Sequence, residues 1–182
     1  MRPIILGVCL LTAACNGRAP NAPTSPSAAV ADVSQLQAQG GTDLPFSGQY
    51  TLQTNAVANC PPTCPPTTLV ISGTGEGNAA HLGRFTATSE DSVNIATTQS
   101  TGTFNLTAAN GDRIFTTTVG HETGFQPPNV SSVTQTATIV GGTGRFAGAT
   151  GSFTVAFTQT IDFATATATG MASFEGRISF NK

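Results

Sequence analysis

Charge is the scarcest property of this sequence. Only 9% of its 182 residues are Asp, Glu, Lys or Arg, and the formal net charge is −2. Seven basic residues over that length make no electrostatic footprint for nucleic acid, nor one for an anionic membrane surface. Tryptophan is absent and tyrosine occurs once, so the aromatic content rests on eleven phenylalanines. No apolar run reaches the ~20 residues that a membrane-spanning helix requires. Two histidines and four cysteines do not make a convincing metal set, because structural zinc takes four convergent ligands. Carboxylate pairs are equally sparse. Glu90 and Asp91 are adjacent, and on a strand they point to opposite faces, so they cannot flank one substrate. There is no Ser-His-Asp order worth proposing and no nucleophile elbow. Neither a cofactor nor a metal is expected, and no residue set dictates a reaction.

What remains is a chain rich in Thr, Ser and Gly with 38% hydrophobic residues. That balance suits β-structure, in which Thr occupies the wet face, and suits helices poorly. At this length one domain is expected, with room for a leader and a linker.

Met1-Arg2-Pro3 followed by an apolar run from Ile4 to Ala14 reads as a secretory signal peptide. The junction Leu11-Thr12-Ala13-Ala14-Cys15 resembles a bacterial lipobox, in which a cysteine is acylated and becomes the new N-terminus. Residues 1–14 are thus expected to be a lipoprotein signal peptide and Cys15 the lipidation site. An ordinary signal peptide cleaved nearby is the competing reading. Residues 15–43 are rich in Ala, Pro, Ser and Gln and read as a flexible linker, with too little apolar surface to offset its ordering entropy. As a coil it would reach about 30 Å. The expected location is the bacterial cell envelope, on its periplasmic or extracellular face, with the membrane as partner through the lipid.

From residue 44 to 182 short alternating segments are broken by Gly, Pro and Asn. Phe46, Tyr50 and Leu52 alternate with Ser47, Gln49 and Thr51 in a first strand. Further strands are expected at about 68–73, 82–93, 102–108, 113–125, 130–140, 153–163 and 172–180. Asn110-Gly111 supplies a tight hairpin turn between the fourth and fifth. In the fifth, parity groups Phe115, Val119, His121 and Phe125 on the apolar face. In the seventh, Phe153, Val155, Phe157, Ile161 and Phe163 occupy alternate positions, interrupted by Gln159. In the eighth, Glu175 and Arg177 share the outer face and read as a surface ion pair. Eight strands joined by short connections predict an antiparallel up-and-down barrel, because closure removes exposed sheet edges. Its interior would be filled by side chains or hold one small ligand. A β-sandwich is the competing architecture.

Between the sixth and seventh strands stands Ile139-Val140-Gly141-Gly142-Thr143-Gly144-Arg145-Phe146. This turn resembles one in the dirigent and allene oxide cyclase superfamily of eight-stranded barrels, and the resemblance implies that fold. The A-R-G triplet implicated in dirigent catalysis is matched by Ala149-Thr150-Gly151, so its arginine is missing here. The same glycines satisfy a G-x-G-x-x-(G/A) fingerprint by letter, but a strand follows where a pyrophosphate site needs a helix N-terminus.

Cys60 and Cys64 lie in a proline-rich loop, and in an oxidising compartment they are expected to form a local disulfide. His121, Phe125, Phe157 and Gln159 are the candidate ligand-binding residues. His121 could orient a ligand or act as a base, and an inward Gln159 would need a hydrogen-bonding partner. The function expected from these features is a tethered, non-catalytic lipoprotein binding a small apolar ligand or a protein partner. The alternative is an isomerase or cyclase, dirigent-like or allene-oxide-cyclase-like, acting on a lipid-derived or phenolic intermediate. A homo-oligomer is open, since related barrels associate through an outer face.

Overall fold

The computed structural model describes residues 42–59 and 66–180. The leader, most of the linker and Cys15 lie outside the described residues, as do Cys60 and Cys64. Eight strands run in chain order: β1 Thr42–Asn59, β2 Thr68–Ala79, β3 Gly83–Asn94, β4 Gln99–Ala108, β5 Arg113–Gln126, β6 Val130–Gly142, β7 Thr150–Asp162 and β8 Thr167–Phe180. Each pairs antiparallel with its neighbours, and β1 pairs with β8 to close the barrel. The up-and-down barrel expected from the alternation is the fold, and no sandwich forms. The strands are longer than the apolar patterning marks, since Thr and Gly continue the ladders past the last large side chain. Thus β2 extends to Ala79 and pairs with β1 as far as Gly48.

One end of the barrel is filled by aromatic rings. Phe46 meets Phe153 at 5.3 Å and Phe174 at 5.0 Å between ring centroids, and Phe153 meets Phe174 at 5.0 Å. Gly48 faces inward here because a Cβ would strike the tip of the Phe174 ring at 2.6 Å. Leu82, from the β2–β3 turn, and Phe146 close this end. Fully buried phenylalanines such as Phe46, Phe146 and Phe153 each contribute about 1.5–3 kcal/mol through removal of apolar area from water.

The glycine-rich turn between β6 and β7 is part of this plug. It forms a single 3₁₀ turn, Gly144–Phe146, that drops Phe146 onto Phe180 at 5.4 Å. Gly144 sits at φ 57° with no room for a Cβ against the Asp112 carboxylate. Arg145 lies over the Phe146 ring, donates to the Leu82 carbonyl at 3.1 Å and pairs with Asp112 at 3.5 Å. A strand follows the turn, so it has no helix N-terminus to offer a phosphate.

Three sequence expectations are corrected. The inward row of β5 is Ile114, Thr116 and Thr118, all buried, while Val119 is 58% exposed and His121 is exposed. Apolar content misidentified the face because the inward threonines are hydrogen-bonded: the Thr116 hydroxyl donates to the Phe104 carbonyl at 2.5 Å. Phe163 does not extend the β7 row but lies in the following turn, 67% exposed. Arg177 pairs across the sheet with Asp43 on β1 and not with Glu175; its guanidinium also donates to the Asp43 carbonyl at 3.1 Å.

A candidate ligand cavity at the open end of the barrel

Away from the aromatic plug the inward side chains shorten and the barrel is hollow. A cavity of about 250 Å³ opens between the ends of β1, β3, β5 and β7 and the beginnings of β2, β4 and β6. Tyr50 and Phe104, whose rings lie 5.4 Å apart, form its floor against the plug. Leu52, Leu69, Ile71, Val93, Val133 and Phe157 supply apolar wall. Two larger hollows, of about 710 and 810 Å³, lie on the outer wall and are more open to solvent.

The cavity carries an ordered polar network. Asp91 on β3 is 8% exposed. The Thr118 hydroxyl donates to its Oδ1 at 2.9 Å, and the Gln135 amide donates to the same oxygen at 3.2 Å. Gln135 also reaches the Ser100 hydroxyl at 3.4 Å. Both donors end on Oδ1, so Oδ2 has no hydrogen bond among the described residues. Burial pushes the Asp91 carboxyl above its ordinary 3.8, and the bonds from Thr118 and Gln135 offset part of that rise. A carboxyl held this way can carry a proton at a pH where a surface aspartate cannot. The Tyr50 hydroxyl is also pushed up, first by burial and then by the neighbouring Asp91 charge, and stays a neutral phenol.

A second carboxylate lies nearer the mouth. Glu122 on β5 lines the same cavity and accepts a 2.7 Å hydrogen bond from the Ser131 hydroxyl. On β7, Gln159 points inward and its Oε1 is buried with no donor among the described residues. A buried amide oxygen in that state is costly, and a ligand carrying a donor would relieve it.

Of the four residues expected to bind a ligand, Phe157 and Gln159 line the cavity. His121 does not: it is exposed and sits in the β4–β5–β6 ladder opposite Gln99 and Thr134. Phe125 is 46% exposed on the rim, beyond a register shift between Glu122 and Gly124. The residues that sequence reasoning passed over are Asp91, Thr118, Gln135 and Glu122. Asp91 shares the parity of Phe85, Ala87 and Val93, so extending that row by position alone would have found it. Glu122 shares the parity of Ile114, on the row that apolar content set aside. Thr150 is exposed at the start of β7, at the plugged end. No group of three His, Cys, Asp or Glu side chains converges on a metal position among the described residues.

No protein-family model matches the sequence, and no curated protein does. Solved structures do. The pterocarpan synthase dirigent protein GePTS1 superposes with a TM-score of 0.51 at 13% identity, over 79% of this chain and 89% of its own. The pterocarpan synthase dirigent protein PsPTS1 gives a TM-score of 0.51 at 15% identity, over 79% of this chain and 97% of its own. At this identity the likeness is one of fold, and the chain carries a dirigent-like barrel. The resemblance first seen in Ile139 to Phe146 extends to the whole architecture.

Proposed function

From a dirigent-like barrel that is plugged at one end and hollow at the other, we propose a ligand-binding protein. A small, mainly apolar molecule occupies the open half, with its polar end toward Asp91 and Gln159. The observation that carries this reading is the buried, donorless Gln159 Oε1 on the wall of a 250 Å³ cavity. Uptake of the neutral fluorescent probe N-phenyl-1-naphthylamine by the full-length protein tests it. Val133→Trp, which fills the cavity, should abolish the signal; uptake unchanged by that substitution sinks the reading.

A second reading, catalysis by an isomerase or cyclase, is favoured by two carboxyl side chains, Asp91 and Glu122, lining one cavity. Burial raises the Asp91 carboxyl, and below its folded value it can act as a general acid, with water exclusion and substrate folding supplying the rest. The two solved structures are named as pterocarpan synthases, a role that belongs to those proteins. For this chain the binding reading stands first, because among the described residues no cation or oxyanion-stabilising donor cluster accompanies the acids. A candidate substrate turned over by wild type but not by Asp91→Asn, at unchanged affinity, would reverse that order.

The export and anchoring reading rests on Leu11 to Cys15 and the linker composition. In it, Cys15 carries the lipid in a bacterial envelope and residues before Thr42 serve as tether. Incorporation of a clickable fatty acid that persists in Cys15→Ser would contradict the anchor.

A further inference from the structure

Among the described residues, the open half holds negative charge with neither Lys nor Arg to balance it. Among the described residues every Lys or Arg is at the plugged half: Arg84, Arg113, Arg145 and Arg177 begin β3 and β5, sit in the 3₁₀ turn and end β8. There they are matched by Asp43, Glu76, Asp112 and Glu175. The open half carries Glu90, Asp91, Glu122 and Asp162, with neither Lys nor Arg, and residues 60–65 add no charge of either sign. A cleft lined by one sign of charge with low-dielectric walls concentrates counter-charge at its mouth. Inside, two acceptors stand open among the described residues: no donor reaches Asp91 Oδ2 or Gln159 Oε1, and Glu122 accepts from Ser131.

We infer that the ligand is a cationic amphiphile, an apolar body of modest size bearing a protonated amine. This rests on the cavity being a binding site, as proposed above, and adds the chemistry of the headgroup. An ammonium brings three donors and no acceptor, which suits the open Asp91 Oδ2 and Gln159 Oε1 beside the Glu122 carboxylate. It also supplies the charge partner that a buried carboxylate otherwise lacks. A neutral alcohol brings one donor, which meets one of those acceptors. A carboxylate brings none and adds repulsion from Asp91 and Glu122. The Tyr50 hydroxyl at the floor can donate or accept and does not alter that balance.

Isothermal titration of the full-length protein with n-octylamine, 1-octanol and octanoate at pH 7.5 and low salt isolates the headgroup, since the alkyl chain is constant. The amine should bind at least about tenfold tighter than the alcohol, a gap of 1.4 kcal/mol, and octanoate should bind weakest. Glu122→Gln, and Asp91→Asn combined with it, should progressively remove the advantage of the amine while 1-octanol affinity stays within about twofold. An Asn side chain at 91 retains an Oδ1 for Thr118 and Gln135, and a matching thermal melt checks that each variant is folded. Equal or tighter binding of 1-octanol by wild type overturns the inference and leaves the cavity reading intact. So does an amine preference that survives both substitutions. Absence of binding by all three probes overturns both readings together.

Discussion

The two ends of this barrel are built from the same eight strands and differ in what fills them. At the plugged end the inward positions are mainly Phe, Leu and Ile, each arginine among the described residues has a carboxylate on its side of the molecule, and the glycine-rich turn folds Phe146 into the opening. At the open end the inward positions are Thr, Ser, Asp, Gln and smaller apolar groups, and the acids have no Lys or Arg beside them among the described residues. The difference shows where stability and where function were placed. Packing that excludes every probe contributes most to folding. A half-filled wall with an unpartnered amide oxygen costs folding energy and has use only when something occupies it.

The sharpest way to break this contrast is to truncate one ring from each half. Phe153→Ala, at 2% exposure in the plug, should cost about 3–5 kcal/mol in chemical denaturation. Phe157→Ala, half-buried on the cavity wall, should cost less than half as much and weaken probe uptake. Similar losses at both positions would mean that the open half is packed like the plug. Next in size is Gly144→Ala, which forces a Cβ into the left-handed turn beside Asp112. A loss of about 1–3 kcal/mol is expected, together with loosening of Phe146, readable as faster amide exchange at that end only.

Asp91→Asn should act in the opposite direction. A carboxyl raised in the fold adds its full stability below the ordinary value of 3.8, and that contribution is lost as pH rises through the folded value. Above the folded value the wild type therefore holds a desolvated charge, which the amide lacks. If that charge costs about 1 kcal/mol, the variant melts about 2–5 °C higher, and the gap closes on acidification through the folded value. A variant that melts lower above the folded value and no differently in acid would show the carboxylate to be stabilising. The smallest effect belongs to Arg177→Ala. Its pair with Asp43 is more than half exposed on both sides, so about 0–0.5 kcal/mol is expected, shrinking further in salt.

The fold was legible because the strongest alternating rows, Phe46 to Leu52 on β1 and Phe153 to Ile161 on β7, face inward as their period requires. The Asn110-Gly111 turn and the Ile139 to Phe146 segment placed two connections correctly. The site was legible only where it interrupts such a row, as Gln159 does. It was hidden on β5, where the inward residues are threonines and the outward ones include Phe115 and Val119. Hydrophobic content assigns a face only when the interior is apolar, and a functional interior is the place where that rule fails. Asp91 was hidden for a related reason. Its partners, Thr118 and Gln135, are 27 and 44 residues away in sequence, a proximity created by barrel closure alone.

The central claim is that ligand enters the open half and nowhere else. Side-chain amide and backbone resonances of the isotopically labelled full-length protein, titrated with n-octylamine, test it most directly. The account predicts saturable shifts at Gln135, Gln159 and the residues flanking Asp91, with Phe46, Phe153 and Phe174 unmoved. Shifts confined to the outer wall, or spread evenly through the aromatic plug, would contradict it.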